Sequence, residues 1–140
     1  MTKLTGQQIA DAGLDGWANL VGGLQTRIWT RDFATGLTIV AAIGAAAEDM
    51  DHHPDLDLRY GHVDVRLSSH DERGVTGRDV RLARKIAAIT AAADVELDSV
   101  SVSRLELALD SPAHRAVLPF WAAVLGMQDQ ASAGVHDEVR

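Results

Sequence analysis

Glu48, Asp49, Asp51, His52, His53 and Asp55 fall within eight positions of the chain, with Pro54 among them, and His70 and Asp79 follow downstream. Histidine titrates near neutral pH, so it can give a proton to a leaving hydroxyl or take one from nitrogen. Carboxylates around an imidazole favour its charged form. Three histidines among acids therefore suit acid–base elimination on a small heterocycle. The same composition also describes an ordinary solvated loop rich in Asp, and the residues by themselves leave both readings open. A metal reading would draw on His52, His53, His70 and Asp79. Adjacent histidines point apart, and there is neither a helical His-x-x-x-His pair nor a cysteine, so no metal is expected. His62 falls on the polar phase of a strand, His114 and His136 lie in the tail, and Ser68 and Ser69 lack a nucleophile-elbow context. Trp17, Trp29 and Phe33 read as core or hairpin packing.

Local sequence signals say which elements must position these residues. Thr5, Gln8 and the apolar Ile9, Ala10 and Leu14 predict a short capped helix. Two β-prone runs, 17–20 and 24–30, flank Gly22-Gly23, which can supply the positive φ values of a hairpin turn. From Asp32, a plausible N-cap, Phe33, Leu37, Val40, Gly44 and Ala47 recur at helical spacing to about residue 50. Pro54 ends that helix and commits the histidines to a turn. Leu56, Leu58 and Tyr60, then Val63, Val65 and Leu67, alternate with polar residues and predict a second hairpin with one wet face. Thr76 with Asp79 forms an acidic capping box before a third helix reaching about residue 92. The order α-β-β-α-β-β-α implies an α+β fold, a four-stranded antiparallel sheet with helices on one face.

After Asp94 the text VELDSVSVS reads as a linker. Leu105, Leu107 and Leu109 then alternate before Ser111-Pro112 opens a helical pattern that Pro119 should kink or interrupt. Residues 128–140 lack periodicity and are expected to fray. The division expected is a domain over 1–100 and a strand-helix extension over 101–140.

The whole chain, 140 residues and 46% hydrophobic, carries enough apolar material for a packed core. Its formal charge of −7, with both segments net acidic, lacks the footprint of a nucleic-acid binder. Without cysteine, disulfides and thiolate sites are excluded. The N-terminus lacks a signal-peptide core, and no run approaches the roughly 18 consecutive apolar residues of a membrane helix. A cytoplasmic protein without membrane contact is expected.

Taken together, Glu48-x-x-x-His52-His53-Pro54, five residues to Tyr60, nine more to His70 and eight more to Asp79 resemble the signature of the pterin-4a-carbinolamine dehydratase family. LTGQQIADAG, Gly16-Trp17, Arg31-Asp32-Phe33 and HHPDLDLRYGHVDVRLSSHDERGVTGRD are similar to that family's text, so the resemblance covers about residues 3–93. It implies dehydration of 4a-hydroxy-tetrahydropterin to quinonoid dihydropterin, regenerating the cofactor of aromatic amino acid hydroxylases, with no metal or organic cofactor. It implies that His52 and His70 protonate the 4a-hydroxyl and that His53 holds the pterin and handles the N5 proton. Glu48, Asp51 and Asp79 would orient the imidazoles or the ring, and Pro54 belongs to the same substrate-binding set. It further implies a homodimer or homotetramer. Leu56 stands where animal members carry a tryptophan near the pterin. The rival reading is a non-catalytic module of the same fold, serving binding, assembly or sensing. Separately, LELALDSPAHRAVLPFWAAVLGM resembles the opening strand and helix of glyoxalase-like (vicinal-oxygen-chelate) domains over about 104–127.

Overall fold

A computed structural model describes residues 2–106 and 110–126. The expected strand positions Leu107 and Leu109, residues 128–140 and His136 lie outside the described residues. The chain divides into two compact units, Met1–Arg104 and Leu105–Arg140.

In the first unit, α1 (Gly6–Asp11) begins with a complete capping box between Thr5 and Gln8. β1 (Ala18–Leu20) and β2 (Gly23–Trp29) form a hairpin in which Leu20 faces Gly23, so its two-residue turn is Val21-Gly22 rather than the expected glycine pair. Val21 and Gly22 have φ of 44° and 68°, the left-handed pattern a tight hairpin needs. Gly23 has a different use: a Cβ there would lie 3.0 Å from Arg66 Nε.

α2 (Phe33–Met50) starts where Asp32 accepts the Thr35 N–H. β3 (Asp55–Leu58) and β4 (His62–Leu67) form the second hairpin, and α3 (Gly77–Ala92) starts at the Thr76–Asp79 capping box. These seven elements are the expected ones in the expected order. The stretch read as a linker contains a further strand, β5 (Glu96–Asp98), antiparallel to β2 and sharing its edge with β1. Its three residues are too few for periodicity to reveal. Leu97 packs on the core, and Asp98 accepts the Trp29 indole N–H at 3.0 Å.

The open antiparallel sheet runs β1-β2-β4-β3 with β5 beside β2. On its helix-covered face Leu24 and Ile28 of β2 meet Val63, Val65 and Leu67 of β4. Ile39, Ile43 and Ala47 of α2 and Leu82, Ala83 and Ile86 of α3 close the core. Each fully buried aliphatic side chain stabilises by about 1.5–3 kcal/mol. Thr26 is buried in the same row and donates its hydroxyl to Gly16 O at 2.6 Å, which removes the penalty of an unpaired polar group. α2 approaches β3 at Gly36, where a Cβ would lie 2.6 Å from Leu58 Cδ1. The opposite face carries Arg27 and Trp29 beside His62, Asp64 and Arg66. Arg27 Nε and Nη2 each donate to Asp64 at 2.7 Å.

α2 corrects one expectation, because by length and composition it is apolar enough to cross a membrane. One face of it, Gly36, Ile39, Ile43 and Ala47, is buried in the core, and most of its other residues are exposed or half-buried.

In the second unit α4 (His114–Leu125) starts two residues later than the proline suggested, and Ser111 Oγ accepts the Ala113 N–H in the turn before it. Pro119 lies inside the helix, removing one backbone bond without ending it. Gly126 closes it at φ 64°, and Phe120 and Trp121 meet edge to face at 5.4 Å.

Candidate active site

The turn after α2 sets the direction of His52. Asp51 takes a left-handed φ of 46°, its N–H donates to Glu48 O at 3.1 Å, and the His52 N–H donates to Ala47 O at 3.1 Å. Those two bonds make a Schellman motif, which satisfies the last carbonyls and folds the next residue back toward the helix. A buried apolar residue usually takes that place; here it is His52, 6% exposed.

What makes a buried imidazole tolerable is Asp79, fully buried in the first turn of α3. Its Oδ1 lies 2.8 Å from His52 Nε2. Its Oδ2 accepts the Thr76 backbone N–H at 2.7 Å and the Ser69 hydroxyl at 2.8 Å, with Thr76 Oγ1 at 3.2 Å. The two hydroxyls are themselves 2.8 Å apart. A carboxylate only accepts, so Nε2 carries the hydrogen and Nδ1 is the nitrogen left for proton transfer. One side chain thus caps a helix with one oxygen and fixes a histidine tautomer with the other.

His53, the next residue, is exposed, and its Nε2 lies 2.9 Å from Glu48 Oε1 across the helix end. Pro54 is half-buried and leads into β3. His70 is exposed in the loop between β4 and α3, which is pinched by paired backbone bonds between Ser69 and Gly74 at 2.8 and 3.3 Å. Its imidazole makes no hydrogen bond among the described residues, but the preceding Ser69 belongs to the Asp79 network. The structure therefore joins His52 to Asp79 and His53 to Glu48, and it ties the root of the His70 loop to the first pair. Asp51 acts as the left-handed cap, and Tyr60 sits exposed at the hairpin tip. His62 is half-buried, edge to face with Trp29 at 5.5 Å and 3.9 Å from Asp64.

Ser69 and Thr76 were not expected at the site. Thr76 is legible in the sequence as a cap and Ser69 carries no local signal; that both hydroxyls turn onto one carboxylate depends on burial, which no local spacing records. Among the described residues no group of three His, Asp or Glu side chains converges as metal ligands.

Comparison with known proteins bears on the family rather than on the site residues. The family model described as pterin 4 alpha carbinolamine dehydratase matches residues 2–89. A Mycobacterium avium protein, provisionally named a pterin-4-alpha-carbinolamine dehydratase, is 41% identical over 91 residues, 64% of this chain and 97% of the relative. A Herpetosiphon aurantiacus protein with the same provisional name is 41% identical over 78 residues, 56% of this chain and 81% of the relative. A crystal structure described as a transcriptional coactivator/pterin dehydratase from Brucella Melitensis superposes with a TM-score of 0.61. It is 36% identical and covers 63% of this chain and 98% of its own. The match ends at residue 89, so it lends nothing to the glyoxalase-like resemblance of the tail. Matched by that family model over residues 2–89, more than half of its length, the chain belongs to the pterin 4 alpha carbinolamine dehydratase family.

Proposed function

We propose that the chain dehydrates 4a-hydroxy-tetrahydropterins to quinonoid dihydropterins. The observation that carries this reading is the buried His52–Asp79 pair, 2.8 Å apart and backed by two hydroxyls. In the proposed step a protonated His52 or His70 gives a proton to the 4a-hydroxyl, the C4a–O bond breaks and water leaves. The N5 lone pair forms the new C=N bond, and His53, oriented by Glu48, takes the N5 proton. Asp51, Pro54 and Asp79 shape the turn and network that hold these groups. Proton transfer by such groups is worth roughly 10² to 10⁴ in rate. His52→Ala and His70→Ala should each lose that much turnover in a stopped-flow assay of 4a-hydroxy-tetrahydropterin decay, with circular dichroism confirming the fold. Equal rates in wild type and both variants would remove the assignment. The proposed chemistry uses no metal or organic cofactor, so exhaustive chelation should leave the rate unchanged.

Assembly into a homodimer or homotetramer is part of the proposal, supported by the exposed Phe33 and Leu37 on α2, and light scattering reads it directly. A second reading, a protein-binding module on the same scaffold, is favoured by the coactivator description of the Brucella neighbour. A folded chain that leaves pterin decay at its uncatalysed rate would select it.

A further inference from the structure

The loop that carries His70 also walls an open cavity of about 260 Å³, shared with Val21, Gly22, Arg66, Ser68 and Arg73. In a chain of net charge −7 this wall holds two arginines, a histidine and serine hydroxyls, and no carboxylate.

Two of its three cationic side chains are unengaged among the described residues, and the third, Arg66, is paired in part with Asp55. The Arg73 guanidinium has no hydrogen bond or ion pair among the described residues, and neither does the His70 imidazole. Arg66 is held in place, with Nη1 3.0 Å from Ser68 Oγ and 3.5 Å from Asp55, while its Nε is buried without a partner. The stem of Lys3 lies over Gly74. The nearby acids are otherwise engaged: Asp71 receives Arg78 at 2.6 Å, and Glu72 has its own partner. One residue of the wall, Arg73, holds a left-handed φ of 47° without being glycine and outside the hairpin turn that accounts for Val21. Such conformations cost on the order of 1–3 kcal/mol each and collect at ligand-binding positions.

We propose that this cavity is an oxyanion subsite for a phosphate-type group, with Arg73 and Arg66 donating to its oxygens and Ser68 and His70 beside it. Arginine donors match such oxygens in geometry and charge. The volume lies below the roughly 300–1,000 Å³ of pockets that enclose whole small molecules, which fits a substituent or a small anion. The group comes either on the side chain of a pterin substrate, which rests on the dehydratase reading, or as free phosphate, which does not.

Two measurements on the full chain separate these sources. Inorganic phosphate is titrated at constant ionic strength while the His70 ring and arginine Nε–H resonances are followed. Saturable shifts are expected, with affinity at least about tenfold weaker in Arg73→Gly and a smaller loss in Arg73→Lys, which keeps the charge without the planar fork. Glycine at 73 relieves the left-handed strain, so that variant does not endanger the fold. In parallel, kcat/KM is compared for 4a-hydroxy-tetrahydropterins with and without a phosphorylated side chain. A preference of about tenfold or more for the phosphorylated compound, collapsing in Arg73→Gly, assigns the subsite to substrate. Saturable phosphate binding with no such preference assigns it to the free anion. If neither pterin is turned over, the dehydratase reading fails and the titration alone decides the subsite. Absence of saturable shifts together with no substrate preference, or responses unchanged by Arg73→Gly, overturns it.

Discussion

Asp79 separates the chemistry of the site from its stability at a single residue. In Asp79→Asn the amide oxygen can still accept the Thr76 N–H, but the amide nitrogen facing His52 Nε2 can only donate. The imidazole must then move its hydrogen to Nδ1, the nitrogen proposed to act on substrate. The expected result is a fall in turnover of about 10² or more with little change in Tm. Wild-type turnover in that variant would mean the tautomer is immaterial. Asp79→Ala instead strands the Thr76 N–H, the Ser69 hydroxyl and His52 in a buried space, at about 1–3 kcal/mol for each group left unpaired. Thermal denaturation should therefore place Asp79→Ala well below Asp79→Asn.

At the scale of elements, long periodic segments and caps were legible: α2 and α3 declare themselves through their spacing and their Asp32 and Thr76 starts. β5 was not, because its pairing with β2 is a long-range contact of three residues held by Leu97 and by the Asp98–Trp29 bond. The first hairpin shows a subtler failure. Gly22-Gly23 looks like a turn, yet register places the bend one residue earlier and uses Gly23 to admit the Arg66 side chain. Of the site, the residue types were legible, but the pairing of His52 with Asp79 follows from the direction of the α2 cap and the closeness of α3. The misplaced turn yields a test. Val21 is β-branched at φ 44°, where asparagine is far better tolerated, so Val21→Asn should stabilise the chain by about 1 kcal/mol. An unchanged or lower denaturation midpoint would show that Val21 gains enough from its surroundings to offset the strain.

For the whole molecule, several carboxylates fix the acid limit of stability. The bidentate Arg27 guanidinium holds Asp64 below the ordinary carboxylate range. The Ser101 hydroxyl, then the Trp29 and Val100 N–H groups, depress Asp98, and Arg78 does the same for Asp71. Each is depressed in the folded state, so its contribution is complete above the unfolded value near 4 and disappears as pH falls through the lower folded value. Tm should therefore hold from neutrality to about pH 5 and decline below it. Asp64→Asn should flatten part of the decline, by no more than about 1 kcal/mol at this partly exposed pair. An identical acid profile in that variant would exclude the pair as a contributor. The two compact units lead to the other whole-chain expectation. Every residue assigned to the reaction lies within Met1–Arg104, so a chain ending at Arg104 should keep the dehydration rate. Loss of turnover by a folded protein of that length would give the tail a part in the reaction.

The carboxylate shared between the start of α3 and His52 makes one backbone amide a gauge of the site. The Thr76 N–H can exchange with deuterated solvent only when its bond to Asp79 Oδ2 opens, and that opening removes one of the bonds that orient the carboxylate beside His52. Protection at a single amide therefore reports how often the network around the histidine's anchor loosens, in the resting protein and without any substrate.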